Sequence, residues 1–555
     1  MFSRRNFLQS GFLASAGLTF STPEVSQPPA TTEVASTAKN GVITLLQTTD
    51  VHCQIHPHDE LFWENNQLTF RKTGGYAHLA TAIDVMRQEN PDNTLVMDTG
   101  DMFQGSMLAV KTTGKAFVPL LNALNYDLYL PGNWEVVYYK ENMQKLMGGL
   151  LAPKVCTNMY HDLGNGQRGG HIFQPYQIVH RLGVKIGFLG YTDPLVPLRQ
   201  SPLYSKGIIY TKPEDNLKEY VQLLKEQEQC DYIIILSHLG LSQQIALGNH
   251  PDCKGVDYIF GADTHERVRK PIQAEYTKIV EPGAFGSFIG RLDLSVEDGK
   301  IVGEKYNLIE VNPQKYPAKK AISTLIEQLE KPLSDELNQV IGYSTVPLYR
   351  NFVVENTIDT LIVDALKWKV NADVVLSNGF RFCPPRLPNK EGKVAITESY
   401  LYDMLPVDAP IRTAKATGQQ IWDWLEKELQ NVFAQDASKR FGGWVVRFKG
   451  MQVSFKAFER MGKRIQDVSI AGKPMNLSQT YTLCACERDG DPDDMLCRMK
   501  GVQEGANTAF TLHTVMKEYL REFSPVTPTL CQAAKIIDAP QTLLSQVHGV
   551  DYQFF

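Results

Sequence analysis

The feature that most constrains this chain is a repeated pattern between residues 43 and 265, where short apolar runs are each followed by acidic, histidine or asparagine side chains. Such runs, alternating with amphipathic segments, are typical of α/β folds. Open α/β sheets bind ligands at the carboxyl ends of their strands. The pattern therefore predicts an α/β domain whose polar side chains meet at one edge of one sheet. The predicted strands and the segments after them are Ile43–Gln47 with Asp50-Val51-His52, Thr94–Met97 with Asp98-Thr99-Gly100-Asp101, Asp127–Leu130 with Gly132-Asn133-Trp134-Glu135, Tyr232–Leu236 with Ser237-His238, and Tyr258–Phe260 with Gly261-Ala262-Asp263-Thr264-His265.

These side chains have the chemistry of a two-metal site. Two divalent ions about 3.5–4 Å apart repel each other, so a carboxylate has to bridge them, and Asp101 suits that position. Mixed imidazole, carboxylate and amide ligands suit Mn, Fe, Zn or Co better than Ca or a metal that prefers thiolates. Each motif alone occurs by chance, and Asp98 or Asp101 could instead cap a helix that begins near Phe103. The occurrence of all five motifs in order favours metal binding.

Length and charge limit the remaining choices. A chain of 555 residues is too long for one core, which predicts at least two large domains. The net charge of −5 argues against binding a nucleic acid polymer. It does not argue against a small anionic substrate, because metal ions can supply local positive charge. No segment is apolar enough to predict a membrane span.

The N-terminus has the pattern of an export signal. Ser3-Arg4-Arg5-Asn6-Phe7-Leu8 precedes the mild apolar run Gly11–Phe20, which is too short to span a bilayer. Paired arginines before such a run are typical of the twin-arginine export route, although an Arg-Arg pair also occurs by chance. Residues 21–40 are rich in Ser, Thr, Ala and Pro, which is typical of a flexible spacer. We expect residues 1–40 to be a signal and spacer, and the protein to be periplasmic or otherwise exported.

The rest of the chain divides into three predicted parts. Residues 41–312 form the metal-bearing domain, and 313–341 form a linker with a helix interrupted by Pro332. A second α/β domain is expected over residues 342–555, closing over the first to bind substrate. Nine cysteines without a CxxC pair are interpreted mainly as buried free thiols.

In order, the five motifs resemble those of the calcineurin-like metallophosphoesterases, and the length and export signal resemble the 5′-nucleotidase branch. This resemblance implies a two-sheet sandwich domain, a second α/β substrate-binding domain and two divalent ions, with Mn preferred over Zn, Fe or Co. It also implies the ligands of both ions. One ion would be held by Asp50, His52, Asp101 and His265, and the other by Asp101, Asn133, His238 and Asp263.

The chain departs from the nucleotidase pattern at two places. Phosphatases of the family have a histidine where this chain has Trp134, and an aspartate that orients it where this chain has Val137. Tryptophan only donates hydrogen bonds and cannot transfer a proton. The second departure is Asp263, which stands where the family has a histidine and adds a negative charge.

The missing histidine bears on the substrate. A nucleoside 5′-hydroxyl is a poor leaving group, and general acid help is typically worth about 10²–10⁴-fold. A persulfide leaves as a stable anion and needs less help. The departure therefore favours the SoxB-like thiosulfohydrolase branch, which carries a tryptophan in the corresponding loop and releases sulfate from a thiosulfonate on a carrier cysteine. Gly74–Leu79 and Gly379-Phe380-Arg381 also resemble that branch, whereas Asn133 is the nucleotidase-like residue.

Three residues of the second domain are candidates for substrate binding. Arg381, in the loop Asn378–Phe382 after the strand-like Ala372–Leu376, could bind a sulfonate or phosphate, or be an ordinary surface arginine. Phe380 lies beside it, and Phe441 could stack on a base or pack in the core. Glu487–Asp494 contains no aromatic residue and is interpreted as a solvated acidic turn.

The sequence thus predicts a dinuclear hydrolase in which Asn133 and Arg381 stabilise the developing charge. Its substrate is either a small anionic ester or a sulfur-carrier protein with a modified cysteine. The thiosulfohydrolase is favoured. A 5′-nucleotidase or other phosphoester hydrolase is the alternative, and a non-catalytic binding protein on this fold is the third.

Overall fold

Two large β-sheets that share one hydrophobic core form the centre of the first half of the chain, beside a three-stranded and a two-stranded sheet. A computed structural model describes residues 39–65, 67–377, 383–442, 445–545 and residue 547, so the predicted export signal and the candidates Phe380 and Arg381 lie outside the described residues. The strands of this half are β1 Gly41–Thr48, β2 His58–Glu64, β3 Gln67–Thr73, β4 Thr94–Asp98, β5 Leu128–Tyr129, β6 Met159–Asp162, β7 Arg168–His171, β8 Tyr176–Arg181, β9 Val184–Thr192, β10 Ile208–Tyr210, β11 Tyr232–His238, β12 Tyr258–Phe260, β13 Ile272–Gln273, β14 Lys278–Val280, β15 Phe288–Glu297 and β16 Lys300–Glu310. The helices are α1 Tyr76–Glu89, α2 Met107–Thr112, α3 Phe117–Ala123, α4 Tyr139–Gly149, α5 Val196–Arg199, α6 Leu217–Gln222 and α7 Leu241–Gly248.

The strand order of these sheets corrects one prediction. One sheet has the order β16-β15-β1-β4-β5 and the other the order β13-β14-β12-β11-β9-β8. The polar segments therefore follow strands of two sheets, and the prediction of one edge of one sheet was wrong. Local periodicity shows that a strand exists but does not show which strand pairs with it. The two-sheet sandwich that the family resemblance implied is confirmed.

The second half is also α/β, as predicted. Its main sheet has the order β21-β18-β25-β20-β28, and a smaller sheet has the order β24-β23-β22-β29. Helices α8 and α9, either side of Pro332, occupy the predicted linker. The domain limits at residues 312 and 342 stay a proposal. The elements are α8 Lys320–Glu330, α9 Ser334–Asn338, β17 Val340–Ser344, α10 Thr357–Lys369, β18 Val374–Ser377, β19 Val394–Thr397, α11 Glu398–Met404, β20 Pro410–Thr417, α12 Gly418–Phe433, β21 Arg447–Lys449, β22 Met451–Phe455, β23 Ile465–Ile470, β24 Lys473–Pro474, β25 Thr480–Cys486, β26 Met495–Leu496, β27 Met499–Lys500, β28 Gln503–Thr511, α13 Leu512–Phe523 and β29 Ala534–Ile536.

A buried ion-pair network stabilises this second half around Asp359 of α10. Its Oδ1 accepts hydrogen bonds from Arg350 Nη2 at 2.8 Å and from Ser377 Oγ at 3.2 Å. Its Oδ2 lies 3.4 Å from Arg447 Nε. Burial alone would raise the pKa of Asp359, but the two arginines outweigh it and lower that pKa. One carboxylate thus compensates two buried cations.

No helix in the described part of the chain combines the length and the apolar character that a bilayer crossing requires.

Candidate metal centre

Five of the predicted ligands lie on turns with a left-handed backbone. The φ angles are 48° at Asp50, 46° at His52, 62° at Asp101, 80° at Asp263 and 58° at His265. A positive φ is uncommon outside glycine, and such conformations cost about 1–3 kcal/mol each. They persist where the surrounding structure holds them, and they cluster at functional sites. The turns after the strands are therefore shaped to present these side chains.

Two carboxylate oxygens lie between three histidines. His238 Nε2 is 3.3 Å from Asp101 Oδ2 and 3.8 Å from Asp50 Oδ1. His52 Nε2 is 3.6 Å and 3.7 Å from the same two oxygens. His265 Nε2 is 3.4 Å from Asp50 Oδ1. The ligand atoms fall into two groups that share Asp50, each compact enough for one ion: Asp50, His52 and His265, and Asp50, Asp101 and His238.

Several of these atoms are oriented as metal ligands are. Asp50 Oδ1 and Asn133 Oδ1 are buried and form no hydrogen bond with good geometry among the described residues. Buried polar atoms are rarely left in that state, because each costs about 1–3 kcal/mol. In two histidines the other ring nitrogen contacts a backbone carbonyl, His52 Nδ1 with Gln104 at 3.1 Å and His238 Nδ1 with Thr99 at 2.7 Å. The Nε2 atom of each ring therefore points towards the two carboxylate oxygens, as it does in metal-binding histidines. The donor set therefore fits divalent ions.

Glu135 holds the loops that carry these ligands. It is fully buried, and its carboxylate accepts hydrogen bonds from the backbone N–H groups of Asp101 at 3.2 Å, Met102 at 2.7 Å and Gly132 at 2.5 Å. Burial, with the nearby charge of Asp101, raises the pKa of Glu135 to about 8. The glutamate of the Gly-Asn-x-Glu motif is thus a support for the site.

Position 132 requires glycine because side-chain atoms of Asp101 and His238 lie close to its Cα atom. A Cβ atom there would lie 2.8 Å from His238 Cε1 and would also overlap Asp101 Oδ1. We expect Gly132→Ala to lower the free energy of unfolding by about 1–3 kcal/mol, as overpacking does, and to lower bound metal. Chemical denaturation and elemental analysis would measure both. Gly148→Ala is the matched control, because nothing lies within 4 Å of its Cβ position. Equal metal content in the two variants would contradict the prediction.

Trp134 and Val137 occupy an apolar cluster rather than a polar one. Both are buried, and they pack with Tyr138, Tyr204 and Val407, the last from the second half of the chain. The backbone N–H of Trp134 donates to Asp101 Oδ1 at 2.8 Å. The positions where the family has a histidine and an aspartate therefore carry no group that transfers a proton.

Arg199 and Asp193 belong to the site but were missed in the sequence. Arg199 Nη1 is 3.1 Å from both Asp193 Oδ2 and Asp263 Oδ2. Asp263 Oδ1 in turn accepts a hydrogen bond from Asn133 Nδ2 at 3.0 Å. Asp193 directly follows β9, so the rule that found the other residues at strand ends could have found it. Arg199 is reached only through the turn of chain after Asp193, which carries no motif.

A cavity of about 370 Å³ lies beside Trp134 and Arg199 and extends among residues of the second half of the chain. Phe441 lies beside Arg199, whose guanidinium carbon is 5.0 Å from the phenyl ring and whose Nη2 donates to the Phe441 carbonyl. Residues from both halves line the cavity, among them Trp134, Arg199, Tyr204, Arg350, Asp489 and Arg498. The acidic segment Glu487–Asp494 therefore partly faces this cavity, whereas we expected only a solvated turn.

Comparison with known proteins agrees with this architecture. A sequence model described as calcineurin-like phosphoesterase matches residues 43–267, and one described as 5′-nucleotidase, C-terminal domain matches residues 340–487. The 5′-nucleotidase of Vibrio cholerae is 23% identical over 87% of this chain and 91% of its own. The trifunctional nucleotide phosphoesterase YfkN of Bacillus subtilis is 24% identical over 80% of this chain, but the match spans only 33% of that protein.

Two solved structures share the fold over nearly the whole chain. Thermus thermophilus sulfate thiohydrolase SoxB, in complex with glycerol, has a TM-score of 0.79 and 23% identity, covering 92% of this chain and 99% of that one. A 5′-nucleotidase precursor, also from Thermus thermophilus, has a TM-score of 0.76 and 20% identity, covering 90% and 100%. The two family matches together take in more than half of the 555 residues. The chain belongs to the calcineurin-like metallophosphoesterases with a 5′-nucleotidase C-terminal domain, a family of metal-dependent hydrolases.

Proposed function

We propose that this protein is an exported dinuclear hydrolase that releases sulfate from a cysteine S-thiosulfonate on a carrier protein. The observation that carries the proposal is the cluster around Trp134 and Val137, which puts an indole and an isopropyl group where the family has its histidine and aspartate. Export by the twin-arginine route is part of the proposal and is supported by Arg4-Arg5 and the apolar run after them. The imidazole, carboxylate and amide donors suit Mn, Fe, Zn or Co, and manganese is preferred among them by the family resemblance.

The proposed ligand set is the one that the family resemblance implies. Asp50, His52, Asp101 and His265 would hold one ion, and Asp101, Asn133, His238 and Asp263 would hold the other. The two compact groups of side chains at the site support it, and Asp50 lies close to the histidines of both. Bound divalent ions supply Lewis acidity and lower the pKa of water towards neutrality. Asp101 Oδ2 lies between His52 and His238, which supports the bridging position.

The reaction proposed for this site is a hydrolysis that needs no outside oxidant or reductant. Water attacks the terminal sulfonate sulfur, and the bond to the next sulfur breaks with its electron pair going to that sulfur. The products are sulfate and a carrier-bound persulfide, and the protons of water pass to solvent. Trp134 packs in a cluster with Tyr204 and Val407 and would present an apolar wall to the substrate. The leaving persulfide needs no protonation, so the lack of a histidine here costs little.

Hydrolysis of a nucleotide is the second candidate. It is favoured by relatives named 5′-nucleotidase and by Asn133, the nucleotidase-like residue of its loop. A nucleotide base is expected to stack between two aromatic rings that face each other across the cavity. Among the described residues that line it, Trp134 and Tyr204 are the only aromatic ones, and both come from the first half of the chain. Phe441 of the second half contacts Arg199 beside this cavity, so the preference for the thiosulfonate rests on Trp134 and Val137.

A substrate panel tests the proposal. Manganese-loaded protein would be assayed with AMP, p-nitrophenyl phosphate and a short peptide that carries a cysteine S-thiosulfonate. We expect sulfate release from the peptide and AMP turnover near background. A kcat/KM for AMP equal to or above that for the peptide would overturn the proposal. Asp101→Ala protein, purified in the same way, controls for contaminating phosphatases.

Introducing the family's histidine and aspartate at positions 134 and 137 should change the substrate preference. In a Trp134→His/Val137→Asp variant we expect AMP hydrolysis to rise by about 10-fold or more, part of the 10²–10⁴-fold that general acid catalysis supplies. Hydrolysis of the thiosulfonate peptide should not rise, because its leaving group is already a stable anion. Steady-state kinetics with both substrates would measure the effect. Trp134→Gln/Val137→Asn opens the same cluster without a proton donor, and an equal gain in that control would contradict the prediction.

A further inference from the structure

Arg199 is a deeply placed cation that the family motifs do not contain. Its side chain is 13% exposed and lies between Asp193 and Asp263, with Nη1 at 3.1 Å from an oxygen of each. Charge-assisted contacts of this kind are about twice as strong as neutral hydrogen bonds. Asp263 is therefore held by Arg199 and is not a free carboxylate at the edge of the metal centre.

Both oxygens of Asp263 are already engaged. Oδ2 faces Arg199, and Oδ1 accepts from Asn133 Nδ2 at 3.0 Å. The backbone N–H of Asp263 also donates to Asp50 Oδ2 at 3.1 Å. Each oxygen of an ionised carboxylate keeps a further lone pair beside such a contact, and Oδ1 also lies 4.0 Å from His238 Nε2. Asp263 therefore faces the metal centre in an orientation that Arg199 and Asn133 fix together.

The contact with Asp263 also fixes which way the Asn133 amide points. A carboxylate only accepts hydrogen bonds, so the amide nitrogen must face Asp263 and the amide oxygen must point away from it. That oxygen is the buried Oδ1 without a good hydrogen bond among the described residues. Gln200, next to Arg199, adds a second support by donating from Nε2 to the Asn133 carbonyl at 2.8 Å. The segment at residues 199–200 thus holds both the side chain and the backbone of Asn133.

We propose that Arg199 is a positioning residue of the metal centre, which holds Asp263 in place, and that Asp263 in turn orients the metal ligand Asn133. The inference rests on the proposed dinuclear site but not on the choice of substrate. Groups that orient metal ligands typically contribute about 10–100-fold to metal affinity.

Arg199 also connects this ligand to the second half of the chain. Its Nη2 donates to the Phe441 carbonyl, and the Phe441 ring lies 5.0 Å from its guanidinium carbon. The planar fork of arginine reaches the two aspartates and this carbonyl together, which the single ammonium of lysine does not. Arg199→Lys should therefore recover only part of the function of Arg199.

Binding of Mn²⁺ to the full chain, measured by calorimetric titration, tests the proposal without any substrate. In Arg199→Gln we expect one of two Mn²⁺ dissociation constants to rise about 10–100-fold while the other stays within threefold of wild type. Electron paramagnetic resonance should then show the signal of an isolated ion at concentrations that fill both sites in wild type. Arg291→Gln is the matched control, since Arg291 also contacts two carboxylates, those of Glu89 and Asp293, away from the site.

A double variant tests whether Arg199 and Asp263 act through one contact. If Arg199 and Asp263 act through one contact, Arg199→Gln/Asp263→Asn should weaken Mn²⁺ binding no more than the worse of the two single variants. The proposal is overturned if Arg199→Gln leaves both constants within threefold of wild type, or if the two effects multiply. Loss of both ions together with a lowered melting temperature in all variants would also overturn it, since Arg199 would then support only the fold. These results are independent of the substrate panel, so either proposal can fail alone.

Discussion

An Asp101→Ala variant should retain fewer than two divalent ions per chain and lose hydrolysis by at least about 10⁴-fold. Asp101 Oδ2 lies within 3.6 Å of the Nε2 atoms of both His52 and His238, so in the proposed site its removal would take a ligand from both ions at once. Bound ions lower the pKa of water from 15.7 to about 7, and that advantage is lost with them. Elemental analysis after dialysis and initial rates on the best substrate of the panel would measure the two effects.

The control for this variant is an aspartate outside the site. Asp84 of α1 forms a partly exposed ion pair with Lys319, so Asp84→Ala should keep the metal content and most of the rate. The predicted role of Asp101 is wrong if Asp101→Ala binds two ions and turns over at the wild-type rate.

Asp359→Asn should lower the free energy of unfolding of the second half of the chain by about 3–5 kcal/mol. Breaking a buried pair leaves an uncompensated charge, and here two arginines, Arg350 and Arg447, lose their shared carboxylate. The pKa of Asp359 is lowered in the folded state, so its contribution is present above the unfolded value of about 3.9. It is lost as pH falls through the folded pKa. The difference between the variant and wild type should therefore be largest near pH 7 and shrink below about pH 4.

Urea denaturation followed by fluorescence at several pH values would measure this difference. The matched control is Asp364→Asn in the same helix, where the carboxylate pairs with the half-exposed Lys449. Exposed pairs contribute about 0–1 kcal/mol, so the control should be nearly neutral. Equal destabilisation in the two variants would contradict the importance of the buried network.

The sequence predicted the strands well, because each carries its own signal. The predicted strand Tyr258–Phe260 has the observed limits, and Ile43–Gln47 lies within β1. Pairing between strands was not predictable in the same way. β1 pairs with β15, which begins at residue 288, and the sequence of neither strand indicates this pairing. The assignment of all polar segments to one sheet failed for that reason.

The candidate site was predictable where side chains follow strands directly. Asp50, Asp101 and His238 were found by this rule, and their distances place them together. Arg199 was not predictable, because it acts through a contact with Asp263, 64 residues later, that only the fold creates. The apolar cluster around Trp134 includes Val407 from the other half of the chain, and that contact also has no local signal.

The division of the ligands between two sheets has a consequence for the chain as a polymer. His52 and His265 are 213 positions apart in sequence, yet their Nε2 atoms lie 3.1 Å from each other. An ion held by both would close a loop of that length, as a covalent cross-link would, and would exclude the extended conformations in which the ends are apart. Because metal binding free energy adds to folding free energy, the layer of β1 and β4 and the layer of β11 and β12 would be joined most strongly when the ions are bound. The ions that activate water would then also cross-link the two sheets and stabilise the folded domain.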